Sequence, residues 1–171
     1  MNVRVVKLDF VEARELLAHP LNARRHPNAQ REALKGSIDE LGFVAPLIVN
    51  ARTGYLLDGH LRVEEALSRD ERVKLPVVYV DLSEEEEALF LASYDYITTM
   101  ASFEPQALKA LIESIEVEDE RVIALLNEMN KAFKLDVIEE EAFPVVDESI
   151  PTEHCCPKCG YRWSGKSNAC D

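Results

Sequence analysis

The turn at residues 58–62, Asp-Gly-His-Leu-Arg, joins an apolar segment to a sequence typical of a helix. A strand that runs directly into a helix leaves backbone N–H groups free at the helix N-terminus, where phosphate or another anion can bind. Gly59 would let a ligand approach the backbone, and Arg62 could hold phosphate oxygens in bidentate geometry. His60 could donate a hydrogen bond or exchange a proton, and Asp58 could hold a metal ion or a sugar hydroxyl. The alternative is structural: Asp58 caps the helix and the polar side chains face solvent.

A second group of polar residues precedes another segment with helical periodicity. The group consists of Asn22, Arg24, Arg25 and His26. Three of its members are basic or can become so, which favours an anion-binding role beside the 58–62 turn. The alternative is a solvated loop with no ligand.

The cysteines are confined to one end of the chain. Cys155, Cys156, Cys159 and Cys170 all lie in the last seventeen residues, whereas the cysteines of a disulfide scaffold are spread along a sequence. The Cys-Pro-Lys-Cys-Gly segment at 156–160 is typical of a zinc knuckle. Because a closed site needs four ligands, we expect Cys170 as the third and Cys155, or alternatively His154, as the fourth. Sharing of one ion between two chains, or a free thiol cluster, are the alternatives.

The pattern of apolar residues predicts the elements that must position these groups. Strands are predicted at 3–7, 46–50, 55–57 and 75–80, and helices at 28–41, 60–69, 84–98, 105–116 and 120–133. Gly54 indicates a hairpin between the second and third strands, and Pro76 places the last strand at a sheet edge or marks its start. Ser83 and Glu86 indicate a capping box. The mixture predicts an α/β (α+β) fold.

Charge is distributed unevenly along the 171 residues, whose net charge is −13. Residues 80–150 carry a net −15 and residues 1–35 a net +3. This balance excludes a protein that coats nucleic acid through its overall charge, but it allows a local basic site. The sequence contains neither an apolar run of membrane-spanning length nor a signal peptide, so we expect a cytoplasmic protein without a membrane partner.

Several motifs occur in a fixed order along the first half of the chain. They are N-x-R-x-H-P at 22–27, L-x-x-S-I at 34–38, P-L-I-V at 46–49 and D-G-H-x-R at 58–62. Together they resemble the N-terminal domain of the ParB/sulfiredoxin superfamily, in the form often found in phages and mobile elements, over about residues 5–82. The resemblance implies a compact domain with a small mixed sheet and a nucleotide-phosphate pocket. The residues that it assigns to nucleotide or phosphate binding are Gly59, His60, Arg62, Asn22, Arg24, Arg25, His26 and Ser37.

The 58–62 turn distinguishes branches of that superfamily. The corresponding turn reads G-E-R-R in chromosomal ParB proteins, where it helps bind CTP, and G-C-H-R in sulfiredoxins, where the cysteine is catalytic. Position 60 is His here, so we do not expect sulfiredoxin activity. Free-serine kinases of the superfamily carry a D-G-H-x-R turn, which makes His60 and Asp58 candidate catalytic residues. We expect Mg²⁺ to accompany the nucleoside triphosphate, with Asp58 as the candidate ligand.

These observations predict four segments. Residues 1–82 form the nucleotide-binding domain, 83–134 an acidic helical extension, 135–152 a linker and 153–171 a zinc-ribbon-like tail. ParB proteins carry a helix-turn-helix domain after the N-terminal domain, but a DNA-reading helix needs Lys and Arg facing phosphates. Segment 83–134 is too acidic for that role. We expect it to complete the fold or mediate association.

The expected function is binding of a CTP- or ATP-type nucleotide by an accessory protein in DNA transactions, such as partition or the processing of phage and mobile-element DNA. DNA or a DNA-bound protein is the expected macromolecular partner, and the chain could form a homodimer. The first alternative is an NTPase or a free-serine-type kinase. The second is a non-catalytic adaptor for a DNA-modifying enzyme such as a methyltransferase.

Overall fold

The computed structural model describes residues 1–135 and 153–164, and the chain divides into two compact units at 136/137. The first unit is built on a five-stranded mixed sheet with the order β1-β5-β3-β4-β2. Its strands are β1 (Val5–Glu12), β2 (Leu17–Ala18), β3 (Leu47–Asn50), β4 (Tyr55–Asp58) and β5 (Lys74–Val80). The pairings β1/β5 and β3/β4 are antiparallel, whereas β3/β5 and β2/β4 are parallel. The predicted α/β (α+β) fold with a mixed sheet is confirmed.

Five α-helices complete the unit. They are α1 (Asn28–Leu41), α2 (His60–Arg69), α3 (Glu84–Thr99), α4 (Pro105–Glu113) and α5 (Glu120–Phe133), and a 3-10 turn spans Ala13–Glu15. The bounds of α1, α2 and α5 agree with those predicted, because apolar periodicity and end residues coincide there. The capping box of Ser83 and Glu86 is confirmed at the start of α3. No helix in the described ranges is long and apolar enough to cross a membrane.

The strands differ from the predictions in three ways. β1 extends to Glu12, beyond the predicted end at residue 7, and β2 was not predicted. β5 lies between β1 and β3, so the prediction that Pro76 marks a sheet edge is wrong for the strand as a whole. The proline is tolerated because it pairs with Phe10 of β1, while pairing with β3 begins at the next residue, Val77.

The hydrophobic core lies between the sheet and the adjacent helix α2. Its sheet-derived members are Leu47, Val49, Leu56, Leu75 and Val77. Ala13 and, from α2, Val63 and Ala66 pack against them. β3 and β4 are therefore fixed by burial, and the turn that follows β4 has a rigid support.

Helix α5 packs against α1 within the same compact unit. A Cβ added to Gly36 of α1 would lie 2.8 Å from Asp119 Oδ1 and 3.0 Å from Val122 Cγ2, so the helices approach closely at this glycine. Asp39 of α1 accepts a hydrogen bond from Arg121 at 2.6 Å. Arg121 also holds the pKa of Asp119 down at about 2. Part of the predicted acidic extension is thereby attached to the part of the unit that contains α1.

The second unit contains the two-residue strands β6 (His154–Cys155) and β7 (Arg162–Trp163), which pair antiparallel. A turn between them brings the Cys156 N–H to the Tyr161 carbonyl at 2.8 Å and the Gly160 N–H to the Cys156 carbonyl at 2.9 Å. Only residue 135 of the predicted linker at 135–152 lies within the described residues, and Cys170 lies outside them.

Candidate functional site

A cavity of about 420 Å³ lies where the N-terminal ends of α1 and α2 meet α5. Its volume falls within the range of small-molecule sites. The cavity is lined by Arg24, His26, Gln30, Ala33, Leu34, Ser37, Asp58, Gly59, His60, Leu61, Arg62 and Leu125. Seven of the residues predicted from the sequence are brought together here: Arg24, His26, Ser37, Asp58, Gly59, His60 and Arg62.

Gly59 makes the sharp turn between β4 and α2. It precedes the first residue of the helix and has φ +97°, a left-handed conformation that side chains with a Cβ rarely adopt. A Cβ at this position would lie 2.3 Å from Leu47 Cδ2 and 3.2 Å from Arg62 Nη2. The glycine therefore lets the turn pack on β3 while the Arg62 guanidinium lies against it.

Both helices that begin at the cavity lack a side-chain cap. Pro27 precedes α1 and Gly59 precedes α2, and neither supplies a side-chain hydrogen bond to the first helical N–H groups. The other three helices are capped by Ser83, Glu104 and Asp119. Two uncapped helix N-termini at one cavity place the positive ends of two helix dipoles where an anion would be stabilised.

His60 is 4% exposed. The hydrogen bond that it makes indicates which of its ring nitrogens carries the proton. Its Nε2 accepts a hydrogen bond from the backbone N–H of His19 at 3.3 Å, so in the neutral ring Nδ1 carries the proton. Burial, and then the positive charge of Arg24, lower the pKa of His60 below the ordinary 6.5. At neutral pH the ring is thus an uncharged donor with its acceptor nitrogen already occupied. Such a ring is suited to binding more than to accepting a proton.

Asp58 is held between two guanidinium groups. Arg24 Nη1 donates to its Oδ1 at 3.1 Å and Arg62 Nη2 to its Oδ2 at 2.9 Å. Arg62 also donates through Nη1 to the carbonyl of Ala45 at 2.8 Å, and Arg24 forms a close ion pair with Asp95 of α3. The carboxylate therefore orients both arginines at the cavity. In this arrangement neither of its oxygens is free of a cationic partner.

Three buried polar side-chain atoms have no hydrogen-bond partner in the described part of the chain. They are Arg24 Nη2, His26 Nε2 and His60 Nδ1. All three residues line the cavity. Since buried polar atoms are normally paired, their convergence indicates a site that is completed by a ligand. The guanidinium nitrogen and the His60 Nδ1–H are both donors, which favours a ligand with acceptor oxygens.

Two predicted residues do not line the cavity. Asn22 Oδ1 accepts a hydrogen bond from the Arg24 backbone N–H at 3.2 Å, so it shapes the loop that carries Arg24. Arg25 is exposed. The structure adds Gln30 from α1, which lies 3.0 Å from His26 Nδ1 through its Oε1, and Leu125 from α5. The sequence predicted a helix at 120–133 but no role for Leu125, because its contact with the cavity depends on how α5 packs.

A buried polar network behind the cavity was not predicted. His19 Nε2 lies 2.6 Å from Oε1 of Glu87, a residue of α3 that is 3% exposed. Asn50 donates a close hydrogen bond to the same carboxylate, and Thr53 donates one at 3.0 Å. Because His19 also contacts His60, this network supports the ring at the cavity. Sequence spacing gives no sign of it, since its members come from separate segments.

The tail holds part of the predicted metal site. Backbone N–H groups of Cys159 and Lys158, followed by the Cys159 thiol, lower the pKa of the Cys156 thiol. Cys155 Sγ instead lies 3.7 Å from the Gly160 carbonyl. No cluster of three or more metal-ligating side chains occurs within 1–135 or 153–164. The predicted third ligand, Cys170, lies outside the described residues.

Comparison with known proteins identifies the architecture. No protein-family model matches the sequence, and neither does any curated protein. A crystal structure of C-terminally truncated chromosome-partitioning protein ParB from Caulobacter crescentus, complexed with CTP-γ-S, is 20% identical with a TM-score of 0.51 and 71% coverage of each chain. A Pnob8-like ParB-N domain is 17% identical with a TM-score of 0.42, covering 77% of this chain and 52% of that one. The similarity to the Caulobacter crescentus structure shows that the chain has a ParB-like fold.

Proposed function

We propose that the cavity between α1, α2 and α5 binds a nucleoside triphosphate. The observation that carries the proposal is the convergence of unpartnered Arg24, His26 and His60 atoms at one cavity. Two uncapped helix N-termini at the same place favour the phosphate groups. The ParB structure with the same fold is complexed with CTP-γ-S, which supports this ligand class.

Each part of the nucleotide has a suitable partner in the cavity lining. Arg24 and the turn at Gly59 would hold phosphate oxygens, and His60 would donate through Nδ1. Leu34 and Leu125 provide apolar surface for the base or ribose. If Mg²⁺ accompanies the phosphates, Asp58 is the predicted ligand. Because Asp58 is paired with two arginines, metal binding would have to displace one of these contacts.

The geometry supports binding more than rapid turnover. A general base needs a free lone pair near the group that it deprotonates, and the His60 Nε2 lone pair is used by the His19 N–H. Asp58 is likewise engaged by Arg24 and Arg62. We therefore propose a nucleotide-binding accessory protein in DNA transactions such as partition, and keep NTP hydrolysis or phosphoryl transfer as outcomes that the experiment distinguishes.

Isothermal titration of the full chain with CTP, ATP, GTP and UTP, with and without Mg²⁺, tests the proposal. Arg24→Ala should weaken binding by at least about tenfold, because hydrogen bonds to a charged group contribute roughly 1.5–3 kcal/mol. Ala33→Trp, which fills the cavity without removing a polar group, should abolish binding. Arg52→Ala is the matched control, since Arg52 is exposed, pairs with Asp81 and does not line the cavity.

Several outcomes would contradict the proposal. One is the absence of binding to all four nucleotides, and another is equal affinity of wild type and Arg24→Ala with both proteins folded by circular dichroism. Phosphate release or phosphoserine formation that is lost in His60→Gln would support the enzyme alternative. A folded chain that binds no nucleotide but retains a protein partner would support the adaptor alternative.

We also propose that the tail binds structural zinc through Cys156 and Cys159. The turn between β6 and β7, which is closed by the hydrogen bonds of the Cys156 and Gly160 N–H groups, supports this proposal. Cys170 and either Cys155 or His154 are the predicted remaining ligands. Metal analysis of the purified chain should find stoichiometric zinc that is lost in Cys156→Ser and Cys159→Ser. Comparison of Cys155→Ser with His154→Ala identifies the fourth ligand, and zinc retained in Cys156→Ser would refute the site.

A further inference from the structure

The free edge of β1 has the properties of a self-association surface. β1 is the terminal strand of the sheet and, within 1–135, pairs only with β5. Its other edge presents backbone N–H and C=O groups that can add a further strand. At eight residues it is the longest strand in the described part of the chain. A long free edge is a feature that proteins ordinarily shorten, charge or cover.

This edge strand is also apolar. Val5, Val6, Leu8 and Phe10 are each between 51% and 63% exposed. Scattered exposed apolar residues are common, but Leu8 and Phe10 are two positions apart in one strand and therefore lie on the same face of it. Burial of such a surface by a second strand would be favourable.

The charged residues of β1 are arranged so that the strand is complementary to itself. If two copies pair antiparallel with Leu8 opposite Leu8, then Lys7 lies opposite Asp9 of the other copy, and Asp9 opposite its Lys7. Lys7 is exposed and Asp9 is half-buried, and the two contact each other at 2.5 Å within one strand. Either residue can therefore turn to the neighbouring strand without leaving a buried charge.

Other registers are unfavourable. A shift by two residues places Lys7 opposite Lys7, or Asp9 opposite Asp9, and like charges directly opposite are destabilising. A shift by one residue places the apolar stripe of one copy beside the charged stripe of the other. The irregularity between Val5 and Lys7 confines regular pairing to the segment that begins at Lys7, which is the segment containing the charge pairs.

We propose that two copies of this chain associate through antiparallel pairing of β1 about Leu8. The two five-stranded sheets then form one continuous sheet across a two-fold axis. The cavity is not lined by any residue of β1, so this association is independent of the proposed nucleotide binding. A failure of one proposal leaves the other intact.

Charge exchange tests the register. Sedimentation equilibrium of the full chain should give a concentration-dependent mass approaching twice 19.3 kDa. Lys7→Asp and Asp9→Lys each place like charges opposite in both halves of the dimer, and each should raise the dimer dissociation constant about tenfold. An equimolar mixture of the two variants, and the double variant, should restore association because opposite charges again face each other.

Restored association in the mixture and in the double variant would distinguish the loss of a specific register from a general loss of folding. Lys109→Asp changes the net charge as Lys7→Asp does, but lies on α4, and it should leave the dissociation constant unchanged. Three results would overturn the proposal. They are a wild type that stays monomeric at all concentrations, a dimer unaffected by the single variants, and a monomer whose β1 amides are protected from hydrogen exchange by another segment of the chain.

Discussion

Gly59 is the residue on which the geometry of the cavity most directly depends. It combines a left-handed backbone with contact to Leu47 of the core, so the turn cannot move away from the sheet to accommodate a side chain. Gly54 provides a comparison within the same hairpin region, since it also has a positive φ, +74°, but nothing lies within 4 Å of its missing Cβ. Comparing the same substitution at the two glycines therefore separates the cost of backbone strain from the cost of a steric clash.

Gly59→Ala should lower the free energy of unfolding by about 2–4 kcal/mol, through left-handed strain plus overpacking against Leu47. Gly54→Ala should cost only about 1 kcal/mol, because strain alone acts there. Urea denaturation of both variants measures the difference. Equal losses for the two variants would show that the contact between Gly59 and Leu47 relaxes freely.

At this scale the sequence predicted which residues lie together better than it predicted their hydrogen-bond partners. Gly59 and Arg62 were expected to face a phosphate, and both line the cavity. The Ala45 and Pro46 carbonyls that hold Arg62, and the role of His19 in fixing the His60 tautomer, depend on segments far apart in sequence. No local pattern encodes such contacts.

Among the elements, α5 has the least expected role. It was predicted as part of an acidic extension, yet its Leu125 lines the cavity and its first turn packs on Gly36 of α1. The ion pairs of Asp39 with Arg69 and Arg121 connect α1 to α2 and α5 at the same level. The wall of the cavity is thus made by tertiary packing.

Gly36→Leu should displace α5 from α1, because the added side chain would meet Asp119 and Val122. We expect a loss of about 1–3 kcal/mol in unfolding free energy and faster hydrogen exchange across residues 120–133. We also expect Gly36→Leu to lower nucleotide affinity, because displacement of α5 moves Leu125 away from the cavity.

Ala110→Leu, on the exposed surface of α4, is the control for Gly36→Leu and should change stability by less than about 0.5 kcal/mol. Unchanged hydrogen exchange in α5 of Gly36→Leu would show that the helix does not depend on this contact.

Helices were predicted more accurately than strands for a physical reason. The 3.6-residue period, a terminal glycine such as Gly42 and the Ser83 capping box all lie within one short stretch of sequence. Strands are completed by partners elsewhere in the chain. β2 has only two residues and exists because it pairs with β4. The interior position of β5 in the sheet could not be predicted from Pro76.

At the scale of the whole molecule, sequence composition and structure agree on a division of charge. The basic residues near the N-terminus supply Arg24 and His26 to the cavity, while the acidic 80–150 stretch supplies Asp95, which pairs with Arg24, and the buried Glu87. Segments of opposite charge therefore meet at Arg24. Composition allowed a local basic site near the N-terminus, but only the fold shows that Asp95 of an acidic helix pairs with Arg24 there.

The buried carboxylate of Glu87 has a consequence for the evolution of this fold. Its three side-chain partners come from two separate stretches of sequence, His19 from one and Asn50 and Thr53 from the other, and each compensates part of one desolvated charge. Replacing any one of them alone leaves that charge under-compensated, whereas replacing the set with apolar residues does not. In related chains these four positions should accordingly be inherited or exchanged as a group, which makes their covariation a means of recognising relatives that overall identity misses.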